Sequence, residues 1–233
     1  EESAKKSGDG PIRIGVVGGS AFRGQILPSR QIGFDDITEN LVAVRLSDYD
    51  LIVLDHYPLV DLNGQVFQQF VHSGGVLLLS YMEGGADFSR TWSPFDLYAA
   101  GRASEVTITR TDHPIFQGFG VVKLKDFRFV DGLWSDDYYV GRTSFDSLSD
   151  EWVVLAEDQS GHAALMEAQH GEGHFIVSVA HLGQYYNKKP VVTKYADGLL
   201  DYAVFLAGGG DAASGSSFRP AEVTDGHLAL VDR

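Results

Sequence analysis

The chain contains no cysteine. Disulfides, thiolate metal ligands and a thiol nucleophile are therefore excluded, although cysteine-free chains occur in every redox compartment. Positive charge is also scarce: 18 Lys and Arg stand against 32 Asp and Glu, a formal net charge of -14. A surface of that sign repels phosphate backbones and anionic lipid alike, so neither nucleic acid nor membrane is an expected partner. Long apolar runs are missing too. The run "GVLLLSY" at residues 75–81 is far shorter than a bilayer-spanning helix, and no basic-plus-apolar export signal opens the chain. A soluble protein is expected. Its compartment stays open; export, periplasmic or extracellular, is an expectation that rests on the chain opening with Glu1 and not with methionine.

What is present suits one large domain: 233 residues, 44% of them hydrophobic, suffice for a single core. Residues 1–10 are polar and read as a flexible leader, and 209–233 begin with "GGDAASGSS" and read as a linker or C-terminal tail. Between them, "PIRIGVVGG" is a buried strand ending in glycines, and "YDLIVLDHYP" is a second strand closed by proline. In "LNGQVFQQFVHSGG", Val66, Phe67, Phe70 and Val71 have helical spacing before a glycine stop, and "VLLLSY" follows as the next strand. Strand, helix and strand in about thirty residues form a βαβ unit, which implies a parallel sheet covered on both faces. After Gly85 the pattern turns β-rich: "ASEVTITRT" alternates, while "EWVVLAED", "HAALMEAQ" and "HFIVSVAHLG" read as an antiparallel ladder. A closing helix carries Leu199, Leu200, Ala203, Val204 and Leu206. The expected fold is α/β: a flavodoxin-like three-layer sandwich with a mainly parallel central sheet and a β-rich extension.

Four stretches taken in order, "YDLIVL", the helix ending in "GG" before "VLLLSY", "DHPIFQGF", and "GEGHFIVSVAHLGQYY" leading to "YAVFLAG", resemble the ThuA-like (trehalose-utilisation) family. That family lies within the class I glutamine amidotransferase-like superfamily, and the resemblance spans residues 11–208. It implies a flavodoxin-like fold and a link to carbohydrate utilisation. The chain departs from the pattern where chemistry is concerned. An amidotransferase needs a cysteine at the strand-to-helix elbow and a His-x-Glu pair to move the proton. Here the elbow reads Leu79-Ser80-Tyr81-Met82, and His181 is followed by Leu182 and Gly183. The family's elbow-strand histidine falls on Ser80, and its Asp-Glu-x-Tyr stretch falls on Asp126-Phe127-Arg128-Phe129. Asp126, His181 and the Asp112-His113-Pro114 turn are retained.

In an open α/β sheet, function gathers at the carboxyl ends of the strands. Asp55, His56, Ser80, Tyr81, Glu83 and His181 all fall at that edge. Ser80 reads either as a nucleophile activated by His181 or as a strand-end hydroxyl bonded to a loop; the absence of Gly-x-Ser-x-Gly favours the second. His181 and Glu83 are the candidate proton carriers, with a structural strand-end histidine and a solvated loop carboxylate as their plain alternatives. Asp55, His56, Ser80, Tyr81, Trp92 and Tyr185 are the candidate ligand contacts. An acidic cleft with Trp and Tyr rings suits a neutral saccharide, since rings stack on sugar C–H faces while carboxylates take hydroxyls. No motif demands a cofactor. A divalent ion held by His56, His181 and a carboxylate stays open, although no His-x-x-x-His spacing points to one. Three functional expectations result. The first is a saccharide-binding domain without amidotransferase chemistry, a pseudoenzyme in that sense. The second is a sugar-active hydrolase or isomerase using His and carboxylate acid–base chemistry. The third is an interaction module with a protein partner or a second copy of itself. His113 reads as a turn-fixing residue.

Overall fold

A computed structural model describes residues 10–19, 21–41, 43–82, 85–117, 119, 123, 129–130, 138–183, 185–210, 222–224 and 227–229. Glu83, Asp126 and Trp134 lie outside the described residues, as does nearly all of the expected leader.

Strands β1 (Ile14–Gly18), β3 (Leu51–Asp55) and β4 (Val76–Ser80) are buried at every position. Continuous apolar runs of this kind are what a parallel sheet covered on both faces requires. With β2 (Asp35–Asp36) at one edge, the sheet runs β2-β1-β3-β4-β12, where β12 is Gly173–Ser178, and every pairing within that run is parallel. This is the flavodoxin-like order, with its reversal point between β1 and β3. Beyond β12 the sheet continues antiparallel through β11 (Ala163–His170), β10 (Val153–Asp158) and β6 (Val106–Ile108). Short strands β5 (Tyr98–Ala99) and β9 (Phe145–Asp146) attach through β11. Two separate hairpins, β7 (Phe129–Val130) with β8 (Tyr138–Tyr139) and β13 (Glu222–Thr224) with β14 (His227–Ala229), complete the strands.

A helical segment follows β1, running from a π-type turn at Phe22–Ile26 into α1 (Leu27–Ser29). Helix α2 (Gly64–His72) starts where the Asn63 side chain accepts a bond from the Gln65 N–H, and it stops at Gly74, whose φ of 103° few other residues adopt. Its Phe67, Phe70 and Val71 face the core, but Val66 is 44% exposed, because the sheet-facing stripe is set by the 67-70-71 spacing and passes one residue to its side. A short turn α3 (Gly85–Asp87) leads into Phe88–Trp92. Helix α4 (Pro190–Ala207) buries Leu199, Leu200, Ala203, Val204 and Leu206 as expected, and adds Tyr195 and Tyr202. It packs on β3, β4 and β12, while α2 packs on β4, β11 and β12, so the sheet is the middle layer of a sandwich. No helix among the described residues is long and apolar enough to cross a membrane.

Candidate functional site

The parallel register places Gly18, Asp55, Ser80 and Ser178 in one row across the carboxyl end of the sheet. Paired residues on neighbouring strands point to the same face, so the polar side chains of this row all turn beneath the helices. Asp55 is 2% exposed and its carboxylate accepts from the N–H groups of Ala21 (2.9 Å) and Phe22 (3.0 Å), at the start of the helical segment after β1. Gly18 and Gly19, with φ of 76° and 79°, fold around it; a Cβ at residue 19 would lie 2.5 Å from the Asp55 Oδ2. Burial raises the Asp55 carboxyl above its ordinary range, opposed by the two N–H bonds. Ser178 Oγ meets the Tyr195 hydroxyl at 2.9 Å. Ser80 is sealed, and its hydroxyl has no hydrogen-bond partner among the described residues.

The row above this one is different in kind. His56 N–H donates to Ser80 O (3.0 Å) and Tyr81 N–H to Ser178 O (2.9 Å), so the ladder extends one residue past each strand. Both residues are then forced into the left-handed region, with φ of 51° at His56 and 47° at Tyr81. For a residue with a side chain this costs about 1–3 kcal/mol, and such strain clusters at working sites. The result is a gathering of rings. Tyr81 lies 4.8 Å from His56 and 4.5 Å from His181, centre to centre, and the two imidazoles are 6.1 Å apart. Tyr81 is buried and Tyr185 packs against it, whereas His56, His181 and Tyr185 remain partly exposed.

The β-rich extension closes on this cluster. His181 N–H donates to Val140 O (3.1 Å), and Gly141 passes so near the end of β12 that a Cβ there would lie 2.3 Å from Val179 O. Arg142 is thereby carried to the cluster, with its guanidinium carbon 5.7 Å from the centre of the Tyr81 ring. On the other side the Lys189 ammonium sits 3.9 Å from the centre of the Tyr185 ring. Gln25 reaches from the first helical segment to donate to Gly183 O at 2.7 Å, tying down the loop that follows His181.

Of the expected site residues, His56, Tyr81, His181 and Tyr185 come together. Three expectations are corrected. Trp92 is fully buried, stacked on Phe67 at 4.6 Å, because its segment winds into a turn against α2 and does not open into a cleft. Asp55 is spent on backbone N–H groups, and Ser80 points under the helices, since strand alternation puts both on the covered face. Glu83 lies outside the described residues. Arg142 and Lys189 are site residues that sequence reasoning does not find: neither sits in a motif, and long-range packing brings them in. Chemically, the edge offers two imidazoles, two tyrosine rings and two cations: proton carriers and stacking faces without a thiol. No group of three or more His, Asp or Glu side chains that could hold a metal ion occurs among the described residues.

No family model matches the chain, and no curated protein matches it. Solved structures do share its fold. Cytoplasmic protein STM1381 from Salmonella typhimurium LT2 superposes with a TM-score of 0.59 at 14% identity, over 84% of this chain and 99% of that one. Cytoplasmic protein STM3548 from Salmonella typhimurium gives 0.56 at 13% identity, over 82% and 98%. A putative GMP synthase protein from Thermoplasma acidophilum gives 0.54 at 12% identity, over 84% and 98%. At such identities the likeness is one of fold.

Proposed function

We propose that the chain is a glutamine amidotransferase-like domain of the ThuA-like kind that lacks the Cys-His-Glu triad and binds a saccharide or sugar-derived metabolite. The ligand sits at the carboxyl edge of the sheet, on His56, Tyr81, His181 and Tyr185. The observation that carries this reading is the ring cluster itself: Tyr81 between His56 and His181, at 4.8 and 4.5 Å, on backbone strained at both His56 and Tyr81. Tyrosine occupies the elbow where a nucleophile would stand, so the scaffold is retained while its reaction is not. Rings of this kind stack on the apolar faces of a sugar, and imidazoles exchange hydrogen bonds with its hydroxyls.

A thermal-shift screen of the purified chain against mono- and disaccharides, sugar acids and divalent metals, with His181→Ala as control, tests the reading. A ligand at a hundred times its dissociation constant adds about 2.7 kcal/mol. At roughly 2–4 °C per kcal/mol for a chain of this size, that is a shift of several degrees. The shift is expected for a sugar and is lost in His181→Ala. Silence across the panel contradicts the reading and favours an interaction module; conversion of the bound sugar that disappears in His181→Ala makes the domain an enzyme.

A further inference from the structure

Resting on that reading, we infer that the sugar bound at this edge is anionic, carrying a carboxylate or a phosphate. The whole chain has a formal charge of -14, yet the described ionisable side chains around Tyr81 and Tyr185 are of the opposite kind. His56 and His181 flank the Tyr81 ring, the Arg142 guanidinium lies 5.7 Å from its centre, and Lys189 lies 3.9 Å from the centre of Tyr185. The described carboxylates at the neighbouring strand ends are engaged elsewhere. Asp55 is turned beneath the edge onto the Ala21 and Phe22 N–H groups, and Asp36 is held by Arg23 and Thr38, which keep its carboxyl below the usual range.

The distinction has physical content. A neutral sugar is held largely by acceptors, carboxylates above all, that take its hydroxyl protons. The acidic, Trp-bearing cleft that would suit one is not what His56, Tyr81, His181 and Tyr185 form, since Trp92 is in the core and Asp55 is committed. An acid group, by contrast, matches the guanidinium fork and gains charge-assisted bonds from imidazolium. The net negative charge of the chain does not forbid it. At physiological salt the Debye length is about 8 Å, so the charges within one ring's reach of the ligand outweigh the distant surface.

Isothermal titration of the full chain with glucose, glucuronate and glucose 6-phosphate decides the matter. One of the two anions is expected to bind at least tenfold tighter than glucose, and which one identifies the acid group. Raising NaCl from 50 to 500 mM weakens the anion severalfold and leaves glucose unmoved. In Arg142→Gln the anion loses its advantage while any glucose binding persists; Arg142→Lys, which keeps the charge without the fork, retains part of it. Glucose binding as tightly as both anions, with no response to salt or to Arg142→Gln, overturns the anionic assignment and leaves the saccharide reading standing. If none of the three binds, the saccharide reading falls and this inference with it.

Discussion

Two histidine clusters in this molecule look alike in composition and differ in role. In one, His113 pairs with Glu167 of β11: Nε2 meets Glu167 Oε1 at 3.2 Å, Nδ1 accepts from the Ile115 N–H at 3.4 Å, and the ring stands edge-on to Tyr202 at 4.7 Å. Both ring nitrogens are engaged, which leaves the proton on Nε2, and both side chains are at most 10% exposed. In the other, His56 and His181 flank Tyr81 at the open end of the sheet, partly exposed, on backbone held in the left-handed region at His56 and Tyr81. The first cluster fixes the Pro114 turn and α4 to the extension. The second gains nothing for the fold that would explain its strain. A buried histidine with both nitrogens occupied is scaffold, and a strand-end histidine on strained backbone beside a second one is working surface.

The largest effects should come from breaking the scaffold cluster. His113→Ala leaves the Glu167 carboxylate buried without its partner, costing about 3 kcal/mol, or roughly 6–12 °C in melting temperature, while His181→Ala stays within about 1 kcal/mol. Calorimetry of the two variants checks the order. Next is Asp55→Ala, which strands two buried N–H groups at about 1–3 kcal/mol in urea unfolding, against a smaller loss for Asp55→Asn.

The same aspartate gives a pH signature. Its folded pKa is raised, so the folded state favours the protonated form; this contribution is fully present below the unfolded value of about 3.9 and is lost as pH rises through the folded value. Asp55→Asn should flatten that part of the stability–pH curve. His170 behaves oppositely. Burial and the neighbouring His72 hold its pKa below the ordinary value, so its contribution is intact above about 6.5 and lost as pH falls through the folded value, a slope that His170→Gln removes. The smallest effect is expected at His56→Asn. Asparagine tolerates the left-handed conformation, so stability should change by less than about 1 kcal/mol while ligand binding falls.

Much of this arrangement is legible in the sequence, for reasons that can be named. β3, α2 and β4 declare themselves because a parallel strand buried on both faces is a plain apolar run, and because Asn63 and Gly74 punctuate the helix between them. The meeting of His56, Tyr81 and His181 follows from their being just past the ends of strands that lie side by side. Which face a strand-end side chain takes does not follow. Asp55 and Ser80 are in register with Ser178, and the covering helices claim all three. Trp92 departs from its sequence expectation for a related reason: an aromatic in a segment without clear period is as ready to fill a groove beside α2 as to line a cleft. Arg142 leaves no trace in the sequence, since it arrives through the bridge between Ala103 and Gly141 and the bond from His181 to Val140.

The most direct test of the comparison measures both clusters in one experiment: the melting temperature of the wild type, His181→Ala and Glu167→Gln, each with and without the sugar that stabilises the wild type most. His181→Ala should melt close to the wild type without ligand and show no ligand-dependent shift, while Glu167→Gln should melt several degrees lower and keep the shift in full. If His181→Ala retains the shift and Glu167→Gln loses it, the carboxyl edge of the sheet is not the binding site.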